Sequence, residues 1–295
     1  MTGNPSSLND RYQRLLTSLR SLATEHHGLI VAYSGGVDSA LLLAAGAEAL
    51  KTLEDAPPLY ALTAISPSYP DWEREPARAL AEELGAQYVE VETDELTRDE
   101  YRANDGQRCY HCKAALFDVA TLMREVSEDQ ESQFDSLRGA LVYGAILDDL
   151  GDHRPGMQAA QDRGVGAPLI DAKLSKSDVR ALSHRLGLPT WDKPASACLA
   201  SRFPYGTEVT AERLTQIGRC EARLLALGIL IVRARYHGDL VRLELGELEL
   251  ERVLADAALR REVTRSCKEV GFKYVSIDLE GYRSGSANEA LVVIQ

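Results

Sequence analysis

Apolar positions in the first two-thirds of the chain alternate between two periods. Leu8, Tyr12, Leu15, Leu16, Leu19 and Leu22 recur at the three-and-four spacing of a single helix face, so an amphipathic helix comes first. The run Leu29-Ile30-Val31 is too short and too uniformly apolar for such a face and reads as a buried strand. A tight loop of small residues follows, then the apolar run 40–45, a helix opened by Asp38 or Ser39. The same beat returns with a strand at 59–65, a helix from about 71 to 84 stopped by Gly85, and strands at 88–91 and 141–144. Ser175 or Ser177 caps a further helix over 178–186, which Gly187-Leu188-Pro189 ends. Strands alternating with helices predict an α/β fold built on a doubly wound parallel sheet. Ligands of such sheets lie beyond the carboxyl ends of the strands, where the first loop falls.

The pattern changes past Tyr205-Gly206. Residues 210–227 read as a helix with Leu214, Ile217, Leu224 and Leu225 on one side. Residues 229–236 and 240–245 alternate apolar and polar positions about His237-Gly238-Asp239, the signature of a half-exposed hairpin. A charged helix over roughly 254–270 and a strand at 274–277 complete a small α+β unit. The expected division is therefore 1–205 for the sheet domain and 206–295 for a smaller C-terminal domain. Between them, 148–156 is polar and glycine-rich, a surface loop directly after a strand, and the acidic stretch 127–135 reads as a solvated linker.

Composition narrows the partners. The chain has 295 residues, enough for two domains, and 45% of them are hydrophobic. No apolar run is long enough to span a bilayer and residues 1–10 are polar, so a cytoplasmic location with no membrane partner is expected. A formal net charge of -12 and a pI near 5.1 argue against a nucleic-acid partner, which calls for a basic footprint. Five cysteines, an odd number, suggest no disulfide framework; metal ligation or catalysis accounts better for the clustered ones.

Two groups of residues carry chemistry. In Ser34-Gly35-Gly36-Val37-Asp38-Ser39 two glycines let backbone N–H groups turn inward, two serines add hydroxyls, and a helix N-terminus follows. Such a loop suits a pyrophosphate, with Asp38 as partner for Mg²⁺. No Gly-Lys-Ser/Thr follows, so it is not a Walker A loop. The second group is Cys109-Tyr110-His111-Cys112 with Lys113 at its end, and Cys198 in an aperiodic segment of small residues, 194–206. Three thiolates from two loops suit a [4Fe–4S] cluster with one iron open to an exogenous ligand such as hydrosulfide; zinc with His111 as fourth ligand competes, and spacing does not separate the two. Cys220 and Cys267 fall inside helices as buried thiols.

The first loop resembles the SGGxDS loop of PP-loop ATP pyrophosphatases. Together with Arg108-Cys109-Tyr110-His111-Cys112-Lys113, Asp152-His153-Arg154-Pro155-Gly156, Ser201-Arg202-Phe203-Pro204-Tyr205-Gly206, Arg233-Ala234-Arg235 and Gly281-Tyr282-Arg283-Ser284-Gly285, it makes residues 8–286 similar to the LarE-type ATP-dependent sulfur-insertion enzymes of nickel-pincer cofactor synthesis. That resemblance implies a definite reaction. A carboxylate of pyridinium-3,5-biscarboxylic acid mononucleotide is adenylated by ATP with release of pyrophosphate, then becomes a thiocarboxylate as AMP leaves. Ser34 to Ser39 would bind ATP, and Asp38, Lys113 and Cys198 would act in catalysis. Ser201, Arg202, Arg233, Arg235 and Arg283 match substrate-phosphate positions, and Glu221 matches a carboxylate of the family's metal-contact region, with Asp256 as its partner. Some family members sacrifice one cysteine as sulfur donor. Those with three cysteines carry a [4Fe–4S] cluster, here expected on Cys109, Cys112 and Cys198 and fed by sulfide or another sulfur donor. The runner-up mechanism makes Cys198 the sacrificial donor, and the alternative enzyme is a PP-loop tRNA thiolase. The resemblance also implies a homo-oligomer formed through the C-terminal domain.

Overall fold

A computed structural model describes residues 7–125, 137–151, 154–194 and 198–283. In chain order the elements are α1 (Leu8–Glu25), β1 (Leu29–Ala32), α2 (Val37–Leu50), β2 (Leu59–Ile65), α3 (Asp71–Glu83), β3 (Gln87–Glu92), α4 (Asp99–Arg102), α5 (Arg108–Glu125) and β4 (Ala140–Tyr143). They continue with α6 (Pro155–Asp162), α7 (Pro168–Asp171), α8 (Lys176–Arg185), α9 (Ala211–Ala226), β5 (Val232–His237), β6 (Leu240–Leu245), α10 (Glu247–Ala255), α11 (Ala257–Glu269) and β7 (Tyr274–Ile277). The acidic stretch 127–135, Asp152, His153, residues 195–197, and Ser284 and Gly285 lie outside the described residues.

The chain forms two compact units whose segments interleave: residues 1–65, 73–94 and 109–193 make one, and 66–72, 95–108 and 194–295 the other. The first is built on four parallel strands in the order β3-β2-β1-β4. β1 and most of β2 and β4 are buried on both faces, as the interior of a parallel sheet requires, whereas the edge strand β3 is mostly half-buried. Leu29 and Val31 of β1 pack with α1, α2, α3 and α8, whereas Ile30 and Ala32 face the core that Leu116, Phe117 and Ala120 of α5 and Ala160 of α6 complete. Because α2 runs beneath the sheet, Leu41, Leu42 and Leu43 are all fully buried, so it is apolar all round rather than amphipathic. The order of strands reverses at β1, with β2 on one side and β4 on the other. The loop after β1 therefore opens at the switch point of the sheet.

The second unit is a three-stranded mixed sheet, β5-β6-β7, with β5–β6 antiparallel and β6–β7 parallel. Leu214, Ile217, Cys220 and Leu224 make the buried stripe of α9, and Val263 and Cys267 that of α11. The α/β class with a small mixed sheet in the C-terminal region is as the sequence indicates.

Several local expectations are corrected. The cysteine pair does not lie in a loop: α5 begins at Arg108 and carries Cys109 and Cys112 in its first turns. The charged helix expected over roughly 254–270 is α11, which starts at Ala257 where Asp256 takes its N-cap and accepts hydrogen bonds from the N–H groups of Ala258 and Leu259, but a separate helix not expected from the sequence, α10, precedes it. The polar stretch 148–156 is partly helical, with a short 3₁₀ turn over Leu147–Gly151 and Pro155 opening α6. Gly36, not Asp38 or Ser39, is the N-cap of α2.

Candidate functional site

The loop after β1 is shaped by its own hydroxyls. Gly35 has φ +71°, a conformation that favours glycine. Ser39 is nearly buried. Its Oγ accepts from the Ser34 N–H at 3.2 Å and donates to the Gly36 carbonyl at 3.1 Å, which folds the loop back over the start of α2. No side chain caps α2, so its first-turn N–H groups remain directed at the loop mouth. Gly144, just past β4, lets the neighbouring strand close against this turn: a Cβ there would meet Ser39 N at 2.9 Å and Asp38 C at 3.0 Å.

Two cations bracket the loop. Lys176 Nζ contacts both carboxylate oxygens of Asp38, at 2.9 and 2.7 Å. Lys176 opens α8 after the Ser175–Asp178 capping box, and its own N–H donates to Asp148 at 2.8 Å. Lys193 Nζ donates to the Gly35 carbonyl at 3.0 Å and pairs with Glu73. Tyr33, just after β1, is buried, and its hydroxyl finds no acceptor among the described residues; burial pushes its pKa up, so it stays neutral. Sequence reasoning missed both lysines. They stand 138 and 158 residues from their partners, and no local signal marks them.

Cys109 and Cys112, one helical turn apart, share a face of α5, Cys109 exposed and Cys112 half-buried. Lys113 follows on the same helix. Gly156 of α6 closes on this end of α5, where a Cβ would lie 3.1 Å from Lys113 Cγ and 3.4 Å from the Cys109 carbonyl.

In the second unit the Ser-Arg-Phe-Pro-Tyr-Gly segment begins as a 3₁₀ turn, Leu199–Arg202, directly after Cys198. The turn is held from several directions. Leu199 N–H donates to Ser68 at 2.8 Å, Arg108 donates to the Ala200 carbonyl at 2.9 Å, and Asn104 donates to the Pro204 and Thr207 carbonyls. Arg202 and Glu221 form a two-pronged ion pair with both bonds at 2.8 Å, each side chain 2% exposed. Glu221 Oε1 also accepts the Ala234 N–H at 2.8 Å, and Arg202 donates to Ser201 Oγ at 2.9 Å.

The alternation of β5 predicts a shared face for Arg233 and Arg235, and the structure gives that face inward partners. Arg235 is buried, donating to the Ser201 carbonyl at 2.8 Å and to Glu244 at 2.6 Å. Glu244 and Asp278 also hold Arg242. Arg233 lies over the Tyr282 ring, 4.8 Å from its centroid. Burial, and then the neighbouring Arg202 charge, lower its pKa, the mark of a cation held in a poorly solvated, positively charged place. Arg283 is exposed and pairs with Glu280 at 2.7 Å. Asp256, expected as the partner of Glu221, instead caps α11, its carboxylate accepting from the Ala258 and Leu259 N–H groups.

The structure thus gathers Ser201, Arg202, Glu221, Arg233 and Arg235 into one connected cluster. It gathers Ser34, Gly35, Gly36, Asp38 and Ser39 into another, in the first unit. Among the described residues no group of three or more His, Cys, Asp or Glu side chains comes together to hold a metal ion.

No protein-family model matches the chain. It is 35% identical over 265 residues to the pyridinium-3,5-bisthiocarboxylic acid mononucleotide synthase of Lactiplantibacillus plantarum, covering 90% of each protein. The chain belongs to the pyridinium-3,5-bisthiocarboxylic acid mononucleotide synthase family. An uncharacterized protein of Synechocystis is 40% identical over 281 residues, 94% of this chain and 97% of that one. Among solved structures, the NMN synthetase from Francisella tularensis matches with a TM-score of 0.44 at 16% identity, covering 90% of this chain and 96% of that chain. The likeness to the synthase extends well beyond the first loop, which accounts for only six of the residues compared. No described helix is long and apolar enough to cross a membrane.

Proposed function

We propose that the protein is an ATP-dependent sulfur transferase that converts the carboxylates of pyridinium-3,5-biscarboxylic acid mononucleotide to thiocarboxylates. The observation that carries this reading is the likeness to the Lactiplantibacillus synthase over 90% of the chain. A carboxylate resists attack because oxide is a very poor leaving group. Its oxygen therefore attacks the α-phosphorus of ATP, pyrophosphate departs, and the mixed anhydride now carries AMP as leaving group. A sulfur nucleophile then adds to the acyl carbon and AMP leaves. A second round on the other carboxylate gives the bisthiocarboxylate.

The loop Ser34, Gly35, Gly36, Val37, Asp38 and Ser39 receives the triphosphate on the first-turn N–H groups of α2. Asp38 suits Mg²⁺, which is commonly held by one or two carboxylates with the substrate's own phosphates, and would there offset charge on the departing pyrophosphate. Lys113 supplies a further positive charge for that step. Ser201 and the arginines 202, 233, 235 and 283 serve the mononucleotide phosphate, Arg233 and Arg235 as the guanidinium forks and Arg202 largely through the Ser201 hydroxyl it fixes. Glu221 acts by holding Arg202 and the β5 backbone rather than as an exposed ligand.

The sulfur source has two readings. Cys109, Cys112 and Cys198 would hold a [4Fe–4S] cluster that supplies the sulfur; their soft thiolate chemistry and the shared face of the first two fit it. In the second reading the Cys198 thiolate is the nucleophile: it displaces AMP to give a thioester, and β-elimination then breaks the Cys198 Cβ–Sγ bond, leaving the sulfur on the substrate and dehydroalanine in the chain. Anaerobic preparation followed by iron and acid-labile sulfide analysis decides between them. Iron and sulfide in the protein, with an unchanged intact mass after turnover, supports the cluster; their absence, with loss of one H₂S from Cys198 after turnover, supports sacrifice. As a family member the protein is also proposed to assemble as a homo-oligomer, which sedimentation tests.

A further inference from the structure

We propose that Lys193 is a positioning residue of the pyrophosphate loop, setting the direction in which the Gly36 N–H points. The inference rests on the reading that this loop receives the ATP triphosphate. In a trans peptide the carbonyl and the following N–H point in opposite directions. Holding the Gly35 carbonyl therefore also aims the Gly36 N–H to the opposite side of that peptide plane. Lys193 Nζ holds that carbonyl at 3.0 Å. The peptide needs an external hold, because Gly35 sits at φ +71° and Gly36 has no Cβ, and two adjacent glycines impose little torsional preference of their own.

Lys193 is well placed to provide it. Its own backbone is pinned, with its N–H donating to the Thr190 carbonyl at 3.1 Å and its carbonyl accepting from Arg180 at 3.0 Å. Arg180, on α8, also holds the Trp191 carbonyl at 2.7 Å, so the turn that carries Lys193 is fastened to a helix of the same unit. Glu73 pairs with the same ammonium, which still reaches the Gly35 carbonyl with another of its donors, and both side chains are largely buried. Ser39 braces the same loop from the other side through Ser34 and Gly36. The neighbouring Lys176 acts on a side chain, Asp38, and so does not duplicate this role.

The test uses the full chain without sulfur acceptor, so that no turnover occurs, and reads binding of inorganic pyrophosphate and of ATP with Mg²⁺ by calorimetry. Misaligning a hydrogen bond to a charged ligand predicts that Lys193→Met weakens both at least about tenfold. Glu73→Gln, which leaves the bond to Gly35 in place, should bind within about threefold of wild type. In turnover, the KM for ATP should rise in Lys193→Met while that for the mononucleotide stays put, a split that general loosening of the fold does not give. Should Lys193→Met fail to fold, Lys193→Gln, too short to reach the Gly35 carbonyl, takes its place with the same expected loss. Folded Lys193→Met or Lys193→Gln binding pyrophosphate as wild type does, or Glu73→Gln losing as much affinity as Lys193→Met, overturns the proposal. Wild-type protein that binds neither ATP nor pyrophosphate overturns the nucleotide reading of the loop itself, a distinguishable failure.

Discussion

Lys176 Nζ engages both carboxylate oxygens of Asp38, at 2.9 and 2.7 Å, so the acidic residue of the loop already carries a cation. A divalent ion at Asp38 has to displace that ammonium. Lys176→Met should therefore lower the Mg²⁺ concentration that half-saturates pyrophosphate release. Asp38→Asn, which removes the charge both cations seek, should cut the rate by about a hundredfold or more. A Mg²⁺ titration of the three proteins at saturating ATP checks both. An unchanged midpoint in Lys176→Met would mean that the two cations do not compete.

Gly144 offers a purely steric probe of the same loop. A methyl group there would sit 2.9 Å from Ser39 N, a backbone atom that cannot rotate away. Gly144→Ala should cost about 1–3 kcal/mol in chemical denaturation and weaken ATP binding along with it, since the loop must shift to make room.

The Arg202–Glu221 pair is the most deeply buried charge pair of the second unit. Glu221→Ala strands a guanidinium away from water and should cost about 3–5 kcal/mol of stability by urea titration. Replacing both partners, Arg202→Met with Glu221→Leu, should recover much of that stability but not substrate use. The contrast separates the fold's need for pairing from the site's need for Arg202.

Cys220 and Cys267 lie buried, the Cys220 thiol donating to the Cys267 sulfur at 3.5 Å, and that hydrogen bond and then burial raise the Cys220 pKa. Neither thiol should react in the native state. In cluster-free protein a thiol reagent should modify Cys109, Cys112 and Cys198 and reach the remaining pair only on denaturation, with peptide mass spectrometry assigning each. Cys220→Ala should leave sulfur transfer intact.

What the sequence revealed follows from range. The strands of the parallel sheet are legible because each is a short apolar run bounded by a turn signal, and β7 is found at its observed limits, Tyr274–Ile277. Helix α5 was not, because it opens on the polar Cys109-Tyr110-His111-Cys112 and its buried residues Phe117 and Ala120 come only later. Helix α10 was hidden because Asp256, the residue that separates it from α11, looks like any other charge in a charged run. In the candidate site, the loop and the arginines are local motifs that a sequence displays directly. The lysines that hold the loop, and the buried partners that turn Arg202 and Arg235 inward, are long-range contacts that no local pattern encodes.

In the proposed reaction ATP is used to exchange carboxylate oxygen for sulfur on a pyridinium mononucleotide. Mass spectrometry of the mononucleotide after anaerobic incubation with the protein, ATP, Mg²⁺ and sulfide tests it most directly. Stepwise replacement of one and then a second oxygen by sulfur, with AMP and pyrophosphate formed in step, is the predicted result. An unaltered mononucleotide, with thiolated nucleosides appearing when bulk tRNA is supplied instead, would contradict it.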